Sequence, residues 1–232
     1  MSNGLVRVSV VIPAAGIGSR MGDSPLPKQF MELRGKPLLD WTIEAVSLST
    51  RIDEVVLVVR EQDIKAVTEK YVESISFPKV RAVVVGGLRR TDSVLNGVTA
   101  TSNEWVAVHD AARPFVSVRL IELTINAALK HEAAAAAMPV ADTVAQKSGL
   151  FLGGLVDRDA ILLIQTPQVF RKKLLVAAYE SMKNSANDWT DETSLLKAAG
   201  HKVAWVNGER TNIKITAPED LPLADAIAAT LT

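Results

Sequence analysis

The sequence predicts a doubly wound α/β fold with a mostly parallel, Rossmann-like sheet and a projecting β-hairpin arm. Apolar, β-branched runs alternate with amphipathic stretches of helical length along the first half of the chain. The runs are continuously apolar, as expected for strands that are buried on both faces of a parallel sheet. After residue 142, short apolar pieces between glycine turns replace this rhythm and indicate a hairpin.

Four strands and four helices are predicted in alternation before residue 131. The strands lie at residues 5–12, 55–59, 80–85 and 105–108. The helices lie at residues 37–48, 62–74, 91–101 and 118–130, and Pro37 suits the N1 position of the first. This order of elements is that of repeated β–α units.

The alanine run at residues 133–138 is ambiguous, because alanine favours helix. We interpret it as a buried strand, since it occupies the next strand position and ends at Pro139. Residues 142–159 are predicted to form the arm. Strands at 202–206 and 212–215 and a helix at 219–231 are predicted to complete a single domain of residues 1–232.

Composition excludes several classes of function. The charges balance at 26 basic and 26 acidic residues, which argues against a nucleic-acid binder. The chain has no cysteine, so disulfides, thiolate nucleophiles and cysteine-ligated metals are ruled out. Its apolar runs fall short of the roughly 20 residues of a membrane span, and no secretory leader is apparent. We therefore expect a cytoplasmic protein with neither a membrane nor a nucleic-acid partner.

A loop rich in small residues follows the first strand and indicates a phosphate site. Small residues let backbone N–H groups approach a phosphate closely, and Arg20 and Lys28 could neutralise a triphosphate. Met21 occupies the position where a dinucleotide fingerprint needs glycine or alanine, and no Walker A sequence is present. An ordinary glycine-rich turn is the alternative, because short Gly-x-Gly patterns are common.

A second glycine turn, at residues 86–94, precedes a predicted helix whose N-terminus could meet a base or a phosphate. The alternative is a plain capped helix with Thr91 or Asp92 as its N-cap. A third motif, at residues 109–115, places Asp110 at the carboxyl end of a strand, where α/β proteins bind ligands. Its carboxylate could hold Mg²⁺, or it could simply pair with Arg113. We interpret His109 as structural, since the three histidines of the chain show no ligand spacing.

These motifs resemble those of a known enzyme family. The first loop, followed by Pro27-Lys28-Gln29, resembles the sugar-phosphate nucleotidyltransferases. With residues 86–94, 109–115, 139–143 and 211–221, the whole series resembles the 2-C-methyl-D-erythritol 4-phosphate cytidylyltransferase family, from about Val10 to the final helix. Ribitol 5-phosphate cytidylyltransferases are the nearest relatives with another substrate. Ala112 and the segments 156–158 and 190–192 are more similar to the methylerythritol branch.

The resemblance implies an activity with CTP and Mg²⁺. CMP would pass from CTP to 2-C-methyl-D-erythritol 4-phosphate, releasing pyrophosphate and giving 4-diphosphocytidyl-2-C-methyl-D-erythritol. It further implies a homodimer in which the arm, at about residues 140–160, reaches the partner subunit. Residues 86–94 would contact the cytosine, and Leu88 stands where some members carry an acidic residue.

The resemblance also assigns residues to roles. The catalytic residues would be Arg20, Lys28, Arg158 and Lys214. The CTP-binding residues would be Ala14, Ala15, Gly16, Gly18, Arg20, Lys28, Gly87, Ser93, Asp110 and Ala111. The residues binding the polyol phosphate would be Asp110, Arg113, Thr143, Arg158, Thr166 and Lys214, with Asp110 also holding the metal.

Two other functions compete with this interpretation. An NAD-dependent oxidoreductase would need a different first turn, because Met21 occupies its third small-residue position. A catalytically silent nucleotide-binding module would retain the fold, but all four predicted catalytic cations are present. Residues 190–193 are predicted to cap a helix without a chemical role.

Overall fold

A seven-stranded sheet forms the centre of the computed structural model, which describes residues 5–16, 28–183, 185 and 189–231, except for the side chain of Lys28. The strands follow the order β11-β7-β10-β6-β1-β4-β5. They are β1 (Val8–Pro13), β4 (Ile52–Val59), β5 (Val80–Val85), β6 (Trp105–Val108), β7 (Ala133–Pro139), β10 (Leu162–Arg171) and β11 (Ala204–Asn207). Four strands pair off this sheet as β2 (Glu32–Leu33) with β3 (Lys36–Pro37) and β8 (Val144–Ser148) with β9 (Phe151–Val156).

Helices cover both faces of the sheet. They are α1 (Leu38–Ser47), α2 (Ile64–Val67), α3 (Arg90–Ala100), α4 (Val118–His131), α5 (Lys172–Ser181), α6 (Glu192–Ala198) and α7 (Leu221–Ala229). Along β1, Val10 and Ile12 pack in one apolar cluster with residues of α1 and α4, whereas Val11 packs in a second with residues of α3, α5 and α6. The continuous apolar runs therefore form strands buried on both faces, as predicted.

The sheet is mostly parallel, with one antiparallel strand inserted near its middle. β10 pairs antiparallel with both β6 and β7, whereas the remaining pairs of the sheet are parallel. The sequence pattern did not reveal β10 or α5. Three consecutive polar or turn-forming residues, Gln165, Thr166 and Pro167, interrupt the apolar run of β10, and the Thr166–Pro167 peptide is cis.

The alanine run forms strand β7, as predicted. Ala133 to Ala137 are all buried, and β7 lies between β10 and β11. Helix α4 packs against β7, β10 and β11, and alanine leaves room for this close approach. Tertiary packing thus overrides the helix propensity of alanine at these positions.

Several predicted elements were wrong in type or position. Residues 212–215 are not a strand: they run along the loop after β6, and the N–H of Ile215 donates to the carbonyl of Ala112 at 2.9 Å. The helix predicted at 62–74 divides into a 3₁₀ turn, the single α turn of α2 and a π-helical stretch, Thr68–Val72. Pro37 is the N-cap of α1 rather than N1, with extended backbone.

The arm is a two-stranded hairpin, as predicted. β8 and β9 pair antiparallel, and Gly149 in their turn adopts φ +60, a left-handed conformation that suits glycine. Large apolar side chains of the arm, Leu150, Phe151, Leu152 and Leu155, are at least 77% exposed. Among the described residues, no helix has the length and apolarity that a membrane crossing would require.

Candidate active site

Asp110 lies just beyond β6, at the carboxyl edge of the sheet, and faces three cations. Its Oδ2 is 2.8 Å from Nζ of Lys214 and 3.5 Å from Nε of Arg113. Its Oδ1 is 3.7 Å from Nη2 of Arg90. Asp110 and Arg113 are buried, whereas the side chain of Lys214 is 39% exposed. The structure therefore brings together three of the predicted site residues, and the local pair of Asp110 with Arg113 is part of a larger cluster.

The cations keep Asp110 ionised despite its burial. Burial alone would raise the pKa of this carboxyl, but Lys214, Arg90 and Arg113 outweigh it and hold the pKa at about 2. Burial lowers the pKa of Arg113, and Asp110 partly offsets that effect. At neutral pH the site thus contains an ionised carboxylate, and Lys214 is the most accessible of the three described cations that face it.

Hydrogen bonds from β10 set the backbone around Asp110. The backbone N–H of Asp110 donates to Oγ1 of Thr166 at 3.0 Å, and that oxygen lies 3.1 Å from Nδ1 of His109. Nε2 of His109 lies 3.0 Å from the carbonyl oxygen of Arg113, which completes the tie across the loop. Burial lowers the pKa of His109 to about 4, so this histidine is neutral and structural, as predicted. Thr166 is buried, and its hydroxyl is already engaged in this network.

Asn212 holds the segment that carries Lys214. Its side-chain amide donates to the carbonyl of Thr166 at 2.8 Å and to Oε1 of Gln165 at 3.2 Å. Its own carbonyl accepts from Nη1 of Arg113 at 2.7 Å. Asn212 is fully buried, so these contacts fix where the chain passes Asp110. Sequence reasoning missed this role, although Asn212 lies within the motif that identified Lys214.

Two loops of small residues meet beside this cluster. A Cβ atom on Gly86 would lie 2.6 Å from Cβ of Ala15 and 2.9 Å from Oγ of Ser93, so a larger residue does not fit there. The N–H of Gly87 donates to Oγ of Ser93 at 3.0 Å. The described start of the loop after β1 therefore lies directly against the turn after β5, as expected of a backbone-lined phosphate or base site.

The remaining predicted CTP residues differ in their surroundings. Ala14 is buried and its carbonyl accepts from Nε2 of Gln29, whereas Gly16 is exposed. Ala111 is buried, and its carbonyl accepts from the hydroxyl of Thr42 in α1 at 2.9 Å. Gly18 and Arg20 lie outside the described residues. Lys28 begins a 3₁₀ turn, Lys28–Phe30, but its side chain is likewise outside the description.

The helix after the second loop begins differently from the prediction. Arg89 is the N-cap of α3, and Asp92 is at its N3 position, where its carboxylate accepts from the N–H of Arg89 at 3.2 Å. Neither Thr91 nor Asp92 is therefore the N-cap. Arg90, the first helical residue, forms a bidentate ion pair with Glu192 at 2.7 Å and 3.1 Å. The sequence pattern did not indicate this pair, since its members are 102 residues apart.

The predicted arm residues lie apart from these contacts. Arg158, half-exposed, donates to the carbonyl of Ala141 at 2.9 Å and approaches Asp159 at 3.9 Å, both within the arm region. Thr143 is exposed at the start of β8. The structure of one chain therefore does not bring Thr143 or Arg158 into the hydrogen-bond network of Asp110.

A cavity of about 610 Å³ lies behind the loop of Asp110. Its walls include Trp41 and Phe115, whose rings pack edge to face with centroids 6.4 Å apart. The predicted site residues are not among its lining residues. The polar cluster at the sheet edge, rather than this largely apolar cavity, is therefore the candidate active site.

The fold and this cluster define a nucleotide-binding α/β protein: a backbone-lined loop and an ionised carboxylate among cations share the carboxyl edge of a Rossmann-like sheet. The family model described as 2-C-methyl-D-erythritol 4-phosphate cytidylyltransferase matches residues 8–230. The chain therefore belongs to this family, and with it to the cytidylyltransferase enzymes. Membership of this family excludes the alternative of an NAD-dependent oxidoreductase.

Relatives of known sequence and structure agree with the assignment. The chain is 37% identical to the 2-C-methyl-D-erythritol 4-phosphate cytidylyltransferase of Geotalea uraniireducens, over 95% of this chain and 96% of the relative. It is 42% identical to the bifunctional enzyme IspD/IspF of Desulfotalea psychrophila, of which it spans 56%. The crystal structure of the Thermus thermophilus cytidylyltransferase superposes with a TM-score of 0.81 at 36% identity, covering 97% of this chain and all of that one.

Proposed function

We propose that this chain transfers CMP from CTP to 2-C-methyl-D-erythritol 4-phosphate, as the names of its relatives indicate for those proteins. The observation that carries the proposal is the position of Asp110 and Lys214, 2.8 Å apart beside two loops of small residues. The cytoplasm is the compartment we propose for this activity.

The chemistry requires a site that accommodates two anionic substrates at once. A phosphate oxygen of the polyol phosphate forms a bond to the α-phosphorus of CTP, the bond from that phosphorus to the β-phosphate oxygen breaks, and pyrophosphate leaves. Positioning and electrostatic stabilisation account for the acceleration. The attacking phosphate is already ionised at neutral pH, so a general base is not required, and the neutral, buried His109 is not needed as one.

The cations divide this task between the substrates. Arg20 and Lys28, on the loop after β1, would stabilise the charge that grows on the α-phosphate and on the leaving pyrophosphate. Lys214 would hold the incoming phosphate in line, since its side chain is 39% exposed and already faces Asp110. Arg113 and Thr166 are buried, so they would act on the substrate mainly by fixing the positions of Asp110 and Lys214. They would contact the polyol phosphate directly only if it reaches the loop that carries Asp110.

CTP would lie along the two loops of small residues. The backbone of Ala14, Ala15, Gly16 and Gly18 would surround the triphosphate, and Gly87 and Ser93 would face the base, beside Asp110 and Ala111. Leu88 is fully exposed and offers the cytosine no hydrogen bond. Base recognition in this chain therefore falls to backbone groups and to Ser93, whose hydroxyl already accepts from the N–H of Gly87.

Mg²⁺ fits the site as an ion shared between protein and substrate. The described residues contain no group of three or more potential metal-ligating side chains, so the protein part of such a site offers few ligands. Mg²⁺ commonly uses one or two carboxylates together with substrate phosphates, and the ionised Asp110 is a suitable ligand. When bound, Mg²⁺ would neutralise phosphate charge.

The arm supports a homodimer. Its exposed leucine and phenylalanine side chains form an apolar surface of the kind that marks an interaction site. A two-fold partner would cover that surface with its own matching arm. The same arrangement would carry Thr143 and Arg158 of one subunit to the polyol phosphate at the other subunit, which explains why they lie apart from Asp110 within one chain.

Pyrophosphate release tests the proposal directly. Purified protein is incubated with CTP and Mg²⁺ and, in parallel, with 2-C-methyl-D-erythritol 4-phosphate or ribitol 5-phosphate. We expect release with the methylerythritol substrate. Release with ribitol 5-phosphate alone would overturn the choice of substrate, and CTP binding without release from either would indicate the silent module.

A further inference from the structure

The buried ion pair between Arg90 and Glu192 lies next to Asp110 but is not among the residues that the proposed chemistry uses. Glu192 is fully buried, and the guanidinium of Arg90 donates to both of its carboxylate oxygens, to Oε1 at 2.7 Å and to Oε2 at 3.1 Å. The hydroxyl of Tyr179 donates to the same carboxylate at 3.2 Å. A bidentate pair with this support has little freedom to move.

The positive charge of Arg90 is unfavourable at its position in α3. It is the first residue of α3, and a cation at a helix N-terminus opposes the helix dipole. Glu192, the first residue of α6, is by contrast favourably placed. An apolar pair could join α3 to α6 with comparable stability, because burying charges is costly. The use of arginine therefore points to a contact beyond the helix pair.

That contact is Asp110. Nη2 of Arg90, which bonds Glu192, also lies 3.7 Å from Oδ1 of Asp110. Lys214 and Arg113 approach the opposite oxygen, Oδ2. The carboxylate thus has cations on both sides, and Arg90 is the one that faces Oδ1.

We propose that Arg90 is a positioning residue for Asp110, held in place by Glu192, and that the pair sets the orientation of the carboxylate for the transfer reaction. The inference rests on the proposed function. Because Glu192 already balances the charge of Arg90, the arginine can orient Asp110 at 3.7 Å without forming a tight salt bridge that would occupy Oδ1.

The double variant R90M/E192L, made together with Tyr179→Phe, separates positioning from stability, since it removes both charges and also the buried hydroxyl that bonds Glu192. We expect a melting temperature close to that of the wild type and a kcat lower by on the order of tenfold, because a displaced catalytic group slows the chemical step. The KM for CTP should change less than kcat, because among the described residues the side chain of Arg90 contacts Glu192 and Asp110 rather than the glycine turn after β5. A crystal structure of the variant should show Asp110 rotated.

Arg90→Lys keeps the charge but loses the planar fork that contacts both oxygens of Glu192 while facing Asp110, so its kcat should also fall. The matched control is R171Q/E132Q, because Arg171 likewise pairs with two carboxylates, those of Glu104 and Glu132, but at the surface. A wild-type kcat in R90M/E192L/Y179F would overturn the inference, and if that variant does not fold, a wild-type kcat in Arg90→Lys would do so. Failure of the proposed function is distinguishable, because the unaltered protein would then release no pyrophosphate with the methylerythritol substrate.

Discussion

At the scale of single residues, the site is a balance of charge around one buried carboxylate. Burial favours the protonated form of Asp110, but the neighbouring cations hold its pKa at about 2. Lys214 is the most exposed of those cations, so a phosphate can approach it without displacing the core. We therefore propose different tasks for the accessible Lys214 and for the less exposed Arg90 and Arg113.

Lys214→Met should lower turnover by on the order of a hundredfold, the typical effect of losing one preorganised charge donor. The KM for the polyol phosphate should rise as well, because the proposed contact is with that phosphate. Steady-state kinetics with each substrate varied would measure both effects. Lys65→Met is the control, since that side chain is 89% exposed in α2 and should leave the kinetics unchanged. Near-normal turnover in Lys214→Met would refute the assigned role.

At the scale of elements, the arm exposes large apolar side chains, which is the observation behind the proposed homodimer. Phe151 and Leu155 both lie on β9, and both are more than three-quarters exposed. Arg158 follows β9 after one residue, Asp157, so a partner that covered this strand would also affect where Arg158 lies. In the proposed homodimer, the arm would therefore link assembly to substrate binding.

Mixing two inactive variants tests whether Arg158 acts across a dimer. Arg158→Ala and Lys214→Met should each be nearly inactive alone. After unfolding and refolding together they should recover about a quarter of wild-type activity, because half of the randomly formed dimers are mixed and each mixed dimer has one intact site.

Adding F151D and L155D to both chains is the control for that recovery. Charges on the apolar surface of the arm should prevent association, which sedimentation would show, and should abolish the recovery of activity. If the mixture of the original variants stays inactive while its dimers form normally, Arg158 acts within its own chain.

At the scale of the whole molecule, the site forms where separate strands and loops meet at one edge of the sheet. His109 joins β6 to β10 through Thr166, and Asn212 joins β10 to the segment of Lys214. The same contacts that orient the site therefore also contribute to global stability. Because His109 and Asp110 are titratable and have shifted pKa values, we expect the free energy of unfolding to depend on pH.

His109→Gln should weaken the pH dependence of stability between pH 4 and 6.5. Burial lowers the pKa of His109 from 6.5 to about 4, so between these values the unfolded chain binds the extra proton and stability rises with pH. The shift corresponds to roughly 3 kcal/mol of stability lost as pH falls through this window. Asp110 adds a similar loss below pH 3.8, down to its pKa of about 2.

Urea unfolding at pH 4.5 and pH 7 would measure the difference in the free energy of unfolding for each protein. His131→Gln is the matched control, because His131 is exposed at the end of α4. An unchanged pH dependence in His109→Gln would show that His109 does not contribute to acid unfolding.

Local sequence patterns predicted many elements of this molecule. The alternation of apolar runs and amphipathic stretches predicted β5 and β6 at their observed bounds, and the alanine strand β7 and the arm nearly so. Short motifs located Asp110, Lys214 and the small-residue loops, because each motif is contiguous in the chain. These features depend on residues that are close together in the chain, so the sequence alone can predict them.

Contacts between distant residues were decided by the tertiary structure. The pair of Arg90 with Glu192 and the bond from Arg113 to Asn212 join positions about a hundred residues apart. β10 was missed because its Gln165-Thr166-Pro167 interruption hides a strand that is completed by β6 and β7. Residues 212–215 have the composition of a strand, but their backbone forms hydrogen bonds with Arg113 and Ala112 in the loop after β6 instead of with a strand. Burial and hydrogen bonding between remote segments, rather than local propensity, therefore set the geometry of the site.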